Sequence, residues 1–136
     1  MAIQCSFFGV WGSRTKNGEL YTSRNLDWNS DSGINLNKLV TIFNIDNYIP
    51  HATLGFPGVL GAITGISAKG ITTHEAGQAS DLETLDGFQW TLRMRKLLGK
   101  AKNLKEAIQI WNSTKKTLGM NFMFGSSSDK KAVVFE

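Results

Sequence analysis

Two strand-forming runs open this chain, and the turn between them limits what the rest can build on. Cys5 to Trp11 (Cys-Ser-Phe-Phe-Gly-Val-Trp) and Glu19 to Asn25 (Glu-Leu-Tyr-Thr-Ser-Arg-Asn) flank Lys16-Asn17-Gly18. Asn-Gly between two β-prone runs predicts a hairpin, because both residues tolerate positive φ. The hairpin places a thiol at its start and Arg24-Asn25-Leu26-Asp27 at its end. A thiol near a chain end, facing a guanidinium and a carboxylate, suggests a nucleophile, since Cys is the most nucleophilic side chain at neutral pH. Cys5 is the only cysteine of the chain, so no internal disulfide accounts for it.

Strands and helices alternate from there. Leu39 to Ile45 reads as a strand through Val40, Ile42 and the Phe43–Ile45 end. Val59 to Ile66 and Gly70 to His74 read as a second hairpin, turning at Ala68-Lys69-Gly70. The spacing of Phe88, Leu92 and Arg95/Lys96 predicts a helix from Gly87 to Leu98. Another runs from Asn103 to Trp111, where Asn103 and Glu106 form a capping box and Leu104, Ala107, Ile108 and Trp111 make one apolar face. Asn121 to Phe124 and Lys131 to Phe135 predict a last hairpin, turning through Gly125 to Asp129. No internal repeat or linker-like segment interrupts this order, so residues 1–136 read as a single domain. The chain ends at Ala132-Val-Val-Phe-Glu136 inside a predicted strand, as a C-terminally incomplete domain would.

Composition removes several classes of function. With 136 residues, 41% hydrophobic and 19% charged, the chain has the makeup of one globular domain with a real core. Its net charge of +4 comes largely from Lys and Arg between Arg93 and Lys131, a solvated basic face rather than a nucleic-acid module with its motif and aromatics. The longest apolar stretch, around Gly55 to Gly61, is short and Gly-rich, whereas a membrane-spanning helix needs about 20 apolar residues. No basic segment followed by an apolar core opens the chain, so no signal peptide is visible.

The residues of the first hairpin also carry a resemblance. Cys5-Ser6, Lys16-Asn17-Gly18-Glu19-Leu20 and Ser23-Arg24-Asn25-Leu26-Asp27-Trp28 resemble the opening of the N-terminal-nucleophile amidohydrolases that use cysteine. That group includes acid ceramidase, N-acylethanolamine amidase, the choloylglycine hydrolases and the penicillin acyltransferases. Gly65 to Thr72 looks like their next shared segment, and Met120 to Glu136 resembles a later hairpin of theirs.

The resemblance implies an α+β fold, the four-layer αββα sandwich, of which this chain holds the N-terminal part. It implies hydrolysis or transfer of an acyl group at a linear, non-peptide amide, with no cofactor. In such enzymes the bond before the cysteine is cleaved, here Gln4–Cys5. The freed α-amine has a reference pKa of about 8 and takes the thiol proton. By resemblance Arg24 steadies the thiolate or substrate and Asp27 holds the α-amine. Residues 24 and 27 reach one site only if the strand ends or bends near Leu26. Groups near Thr73, His74 and Glu75 are the candidates for an oxyanion hole. His74 stands where relatives carry a small or amide side chain, and a further asparagine and arginine of theirs would lie beyond Glu136. The resemblance further implies a lysosomal or secreted protein, for which the Asn112-Ser113-Thr114 sequon would be a glycan acceptor.

Plainer readings stand beside these. Cys5 can be a small buried hydrophobe, and Arg24 with Asp27 a structural ion pair. His74 with Glu75 gives two metal ligands where zinc wants three or four, and His51 is isolated. Phe7, Phe8, Trp11, Phe56 and Trp90 fit a core or an apolar groove for an acyl chain. The chain is then either an acyl-amide enzyme or a non-catalytic remnant that binds an acylated ligand or a partner chain. An unfinished sheet edge adds self-association to the expectations.

Overall fold

The computed structural model describes residues 5–136, so Gln4 and its bond to Cys5 lie outside the described residues. The first hairpin forms as its residue types predict. β1 (Ser6–Gly12) pairs antiparallel with β2 (Gly18–Asn25), Phe7 opposite Arg24 and Val10 opposite Tyr21. Its turn is longer than the Asn-Gly pair predicts. Gly12 and Gly18 face each other at positive φ, 64° and 68°, and residues 13–17 form the loop, so Asn17 stays out of the left-handed region.

The other strands form a six-stranded antiparallel sheet in sequence order: β3 (Leu39–Phe43), β4 (His51–Gly55), β5 (Thr64–Ser67), β6 (Ile71–Gly77), β7 (Met120–Ser126) and β8 (Lys131–Phe135). β4 was not anticipated, and only the end of the Val59–Ile66 run is strand. Its earlier part turns at Phe56–Val59, then is held to the helix layer by Ala62 N–H donating to Thr91 O at 2.8 Å.

Two helices join β6 to β7. α1 (Trp90–Lys100) starts later than Gly87 because the Gln89 side chain caps it, accepting from Leu92 N at 3.1 Å. Its buried face is Arg93, Met94, Leu97 and Leu98, while the anticipated Phe88 and Leu92 are exposed. α2 (Leu104–Asn112) begins at the anticipated cap, with Asn103 Oδ1 accepting from Glu106 N at 2.9 Å. The Glu106 carboxylate accepts from Lys102 N rather than Asn103 N. Ala107 and Trp111 are buried, and Ile110 rather than Ile108 packs against the core. That core lies between the helices and one sheet face. Trp111 is central, its ring 4.4 Å from Phe122 and 5.0 Å from Phe124, with the Arg93 guanidinium 3.8 Å over it.

The hairpin lies on the opposite face, over β6, β7 and β8. Close approach there depends on Gly125 of β7, where an added Cβ would stand 2.9 Å from Leu20 Cδ2 and 3.2 Å from Thr22 Cγ2. Thr22 Oγ1 and Thr72 Oγ1 meet at 3.3 Å across the two sheets. The β3–β5 half of the same face is apolar and open. Val40, Ile42, Leu54 and Ile66 are each more than half exposed, and cross-strand pairing puts them on the side of Thr72. The layers run helices, six-stranded sheet, two-stranded sheet.

Candidate functional site

The hairpin brings residues 5 and 24 together by pairing alone. Cys5 immediately precedes β1, Arg24 is next to last in β2, and Arg24 Nη2 donates to Cys5 Sγ at 3.4 Å. Cys5 is half-buried, not a core hydrophobe. The sequence leaves open an ion pair between Arg24 and Asp27, but the guanidinium pairs elsewhere. Its Nε donates to Glu75 O at 2.9 Å and its Nη2 forms a salt bridge with Glu75 Oε1. Both side chains of that pair are about 5% exposed.

Register explains why Glu75 is available. β5 pairs with β6 only at Gly65–Thr73 and Ile66–Thr72, so β6 beyond Thr73 has no strand on that side. Arg24 occupies the open edge and satisfies a carbonyl that a neighbouring strand would otherwise take. Burial pushes the Glu75 carboxyl above its ordinary value, and the adjacent guanidinium acts against that push.

The three oxyanion candidates separate by strand alternation. Thr73 sits opposite Gly65 and Phe124, on the helix side of the sheet, and is fully buried. Its side chain is therefore not on the face that holds the hairpin. His74 is opposite Met123, whose sulfur is 3.4 Å from the Cβ position of Gly9 in β1, so it lies beneath the hairpin. It is 5% exposed, and neither ring nitrogen has a hydrogen-bond partner. Burial lowers its pKa to about 4, with the Arg24 charge adding to the effect, and the imidazole is neutral across the physiological range. Glu75 joins the cluster through Arg24.

Asp27 lies two residues past the end of β2, so the chain does leave the strand before it. Its carboxylate is exposed, and among the described residues no hydrogen bond or salt bridge reaches it. Asn112 is exposed at the end of α2. Among the described residues no three His, Cys, Asp or Glu side chains converge as a metal site, and no helix is long and apolar enough to cross a membrane.

A cleft of about 450 Å³ begins at Arg24 and extends over the open half of the large sheet. Leu26, Trp28, Ile34, Val40, Leu54 and Phe56 give it apolar walls. Arg24, Asn35, Lys38 and Thr64 are its polar groups. Of the aromatics anticipated for a groove, Phe56 lines it, Trp90 packs against the helical core, and Phe8 is 59% exposed on the outer face of the hairpin. Nothing in the sequence marks Trp28 and Lys38 as lining residues, because the segment after the hairpin has no periodicity that would show which side chains turn inward.

A family model described as acyl-coenzyme A:6-aminopenicillanic acid acyl-transferase matches residues 13–136. The matched stretch contains Arg24, Asp27, His74 and Glu75 and begins after Cys5. Among solved structures, the chain is similar to the N-acylethanolamine-hydrolyzing acid amidase ortholog of Caenorhabditis elegans, with a TM-score of 0.67 at 14% identity. The likeness covers 96% of this chain and 63% of that one, so the chain spans less than two thirds of that relative's length. The two-sheet, two-helix arrangement fits the N-terminal part of the N-terminal-nucleophile fold. No curated protein matches the sequence.

Proposed function

This chain belongs to the acyl-coenzyme A:6-aminopenicillanic acid acyl-transferase family, and on that footing we propose that it serves acyl transfer from a linear amide, with Cys5 as nucleophile. The observation that carries the reading is the hydrogen bond from Arg24 to the Cys5 sulfur, with the guanidinium fixed from behind by Glu75. A fixed cation beside sulfur stabilises the negative charge that gathers there as the thiol gives up its proton.

In this reading, cleavage between Gln4 and Cys5 frees an α-amine, which takes the thiol proton. The thiolate attacks the amide carbon, and the carbonyl oxygen becomes an oxyanion. Collapse of that intermediate breaks the C–N bond, the amine leaves with the proton, and a thioester remains on Cys5. Water or a second amine then attacks the thioester and regenerates the thiol. Of the side-chain oxyanion candidates, Thr73 faces the helices and both ring nitrogens of His74 are buried beneath the hairpin. Asp27 would hold the α-amine once it is uncovered. The apolar cleft beginning at Arg24 would take the acyl chain.

Intact mass and N-terminal sequencing of the purified chain test the first step. Loss of residues 1–4, together with release of amine from an N-acyl amide that Cys5→Ala abolishes, is the expected result. A chain that stays whole and inert while still binding acyl amides would replace this reading with the second one, a non-catalytic acyl binder. The open cleft favours that alternative because it exists whether or not Cys5 is uncovered.

A further inference from the structure

Both sheets of this fold end in open strand edges, and one of those edges is unguarded. The large sheet runs β3-β4-β5-β6-β7-β8, so β3 and β8 each have one unpaired side, as do both strands of the hairpin. A free edge recruits other strands unless a charge, a bulge or a cover blunts it. β8 opens with Lys131, β2 carries Glu19 and Arg24, and β1 has a register shift between Val10 and Gly12. β3 has none of these. Leu-Val-Thr-Ile-Phe is uncharged, free of Gly and Pro, and paired in register with β4 along its whole length. Among the described residues, no hydrogen bond other than those to β4 reaches residues 39–43. Val40 and Ile42 stand 62% and 77% exposed on it.

The charges near β3 lie beyond its two ends. Lys38 precedes the strand and Asp46 follows it, both exposed, and neither forms a salt bridge among the described residues. Antiparallel pairing reverses one strand against the other, so a cation at one end and an anion at the other make the edge complementary to itself. We infer that β3 is a docking edge for a second copy of this chain, the two β3 strands pairing antiparallel about a two-fold axis at Thr41. That register is the one that pairs all five residues of the strand. Thr41 meets Thr41 of the second copy, Val40 meets Ile42, and Leu39 meets Phe43. Val40 then has an aliphatic neighbour on both sides, Leu54 in its own sheet and Ile42 across the axis. Lys38, which lines the same cleft as Val40, comes one diagonal step from Asp46 of the second copy, within reach of a long side chain. The symmetry makes that ion pair twice. Nothing in the inference depends on Cys5.

The interface is small, so the complex belongs to the weak class, and sedimentation equilibrium from about 1 to about 300 µM should show the 15.0 kDa chain passing into a dimer. The measurement uses the Cys5→Ala protein, which removes any disulfide-linked dimer. Ile42→Lys, at a side chain already exposed, should abolish the dimer and leave the thermal midpoint in place. Lys38→Glu sets like charges across the axis and should weaken association about tenfold, and adding Asp46→Lys should restore it. Thr41→Cys in the same background should cross-link on oxidation more readily than Ile42→Cys, since only residue 41 meets itself. A chain that stays monomeric throughout would overturn the inference. So would a dimer indifferent to Ile42→Lys, a charge exchange that restores nothing, or cross-linking that favours residue 42.

Discussion

His74 ties the stability of this fold to pH in a direction that can be worked out beforehand. The imidazole is buried between the sheets with the Arg24 guanidinium nearby, and its pKa falls from 6.5 to about 4. A lowered pKa means that the unfolded chain takes up a proton before the native one does. The stabilisation is therefore fully present above 6.5 and is lost as pH falls toward about 4, where the native state also protonates and the loss levels off. At roughly 1.4 kcal/mol per pH unit, the gap is worth roughly 3 kcal/mol. Glu75 acts with the opposite sign. Its pKa is raised, so its contribution is full below the ordinary carboxylate value and lost as pH rises through the raised one. Because His74 and Glu75 act with opposite signs, a single protein's pH profile would not isolate the histidine. Urea unfolding of the parent and of His74→Gln, from about pH 8 to about pH 4, removes that background. The parent should lose roughly 3 kcal/mol more than His74→Gln across the range. A difference between the two proteins that does not change with pH would refute the argument, since it would mean that His74 is free to protonate in the fold.

Three further outcomes follow from the packing. Arg24→Ala leaves the Glu75 carboxylate buried without its cation and should cost about 3–5 kcal/mol in urea unfolding, part of it recovered when Glu75→Gln is added; full additivity of the two changes would contradict the pairing. Trp111→Ala empties the centre of the aromatic cluster and should cost about 3–5 kcal/mol, so a thermal midpoint near the parent's would show that the helices are held by something else. Asn103→Ala removes the cap of α2 for about 1 kcal/mol, with Asn103→Asp restoring most of it.

How much of this was legible in the residues depended on range. Local signals worked: the first hairpin, the Ala68-Lys69-Gly70 turn, the Asn103 cap and the final strand pair all stand where residue type predicts, within a residue or two. β4 escaped because His51-Ala-Thr-Leu-Gly55 carries little of the β-branched and aromatic enrichment that marks a strand. Its partners on both sides make it one. On α1 the apolar residues suggested a face through Phe88 and Leu92, whereas the buried face includes Arg93, which lies over Trp111 and donates to its carbonyl oxygen. A buried arginine is visible only when its acceptors are known. The site divides in the same way. Cys5 and Arg24 face each other through hairpin pairing and were foreseeable from spacing. Glu75 as the partner of Arg24 was not, because that contact depends on where β5 stops pairing with β6, a property of the whole sheet.

That division also sets an order in time. Cys5 and Arg24 belong to one hairpin, a unit that closes in microseconds. The contact of Arg24 with Glu75 spans 51 residues and waits on the slower assembly of non-local strands. A chain caught partway through folding would hold the thiol and guanidinium near each other on an unanchored ribbon, with no carboxylate to fix the cation and no sheet beneath it. The fixed position of the Arg24 guanidinium therefore waits until β6 is in place.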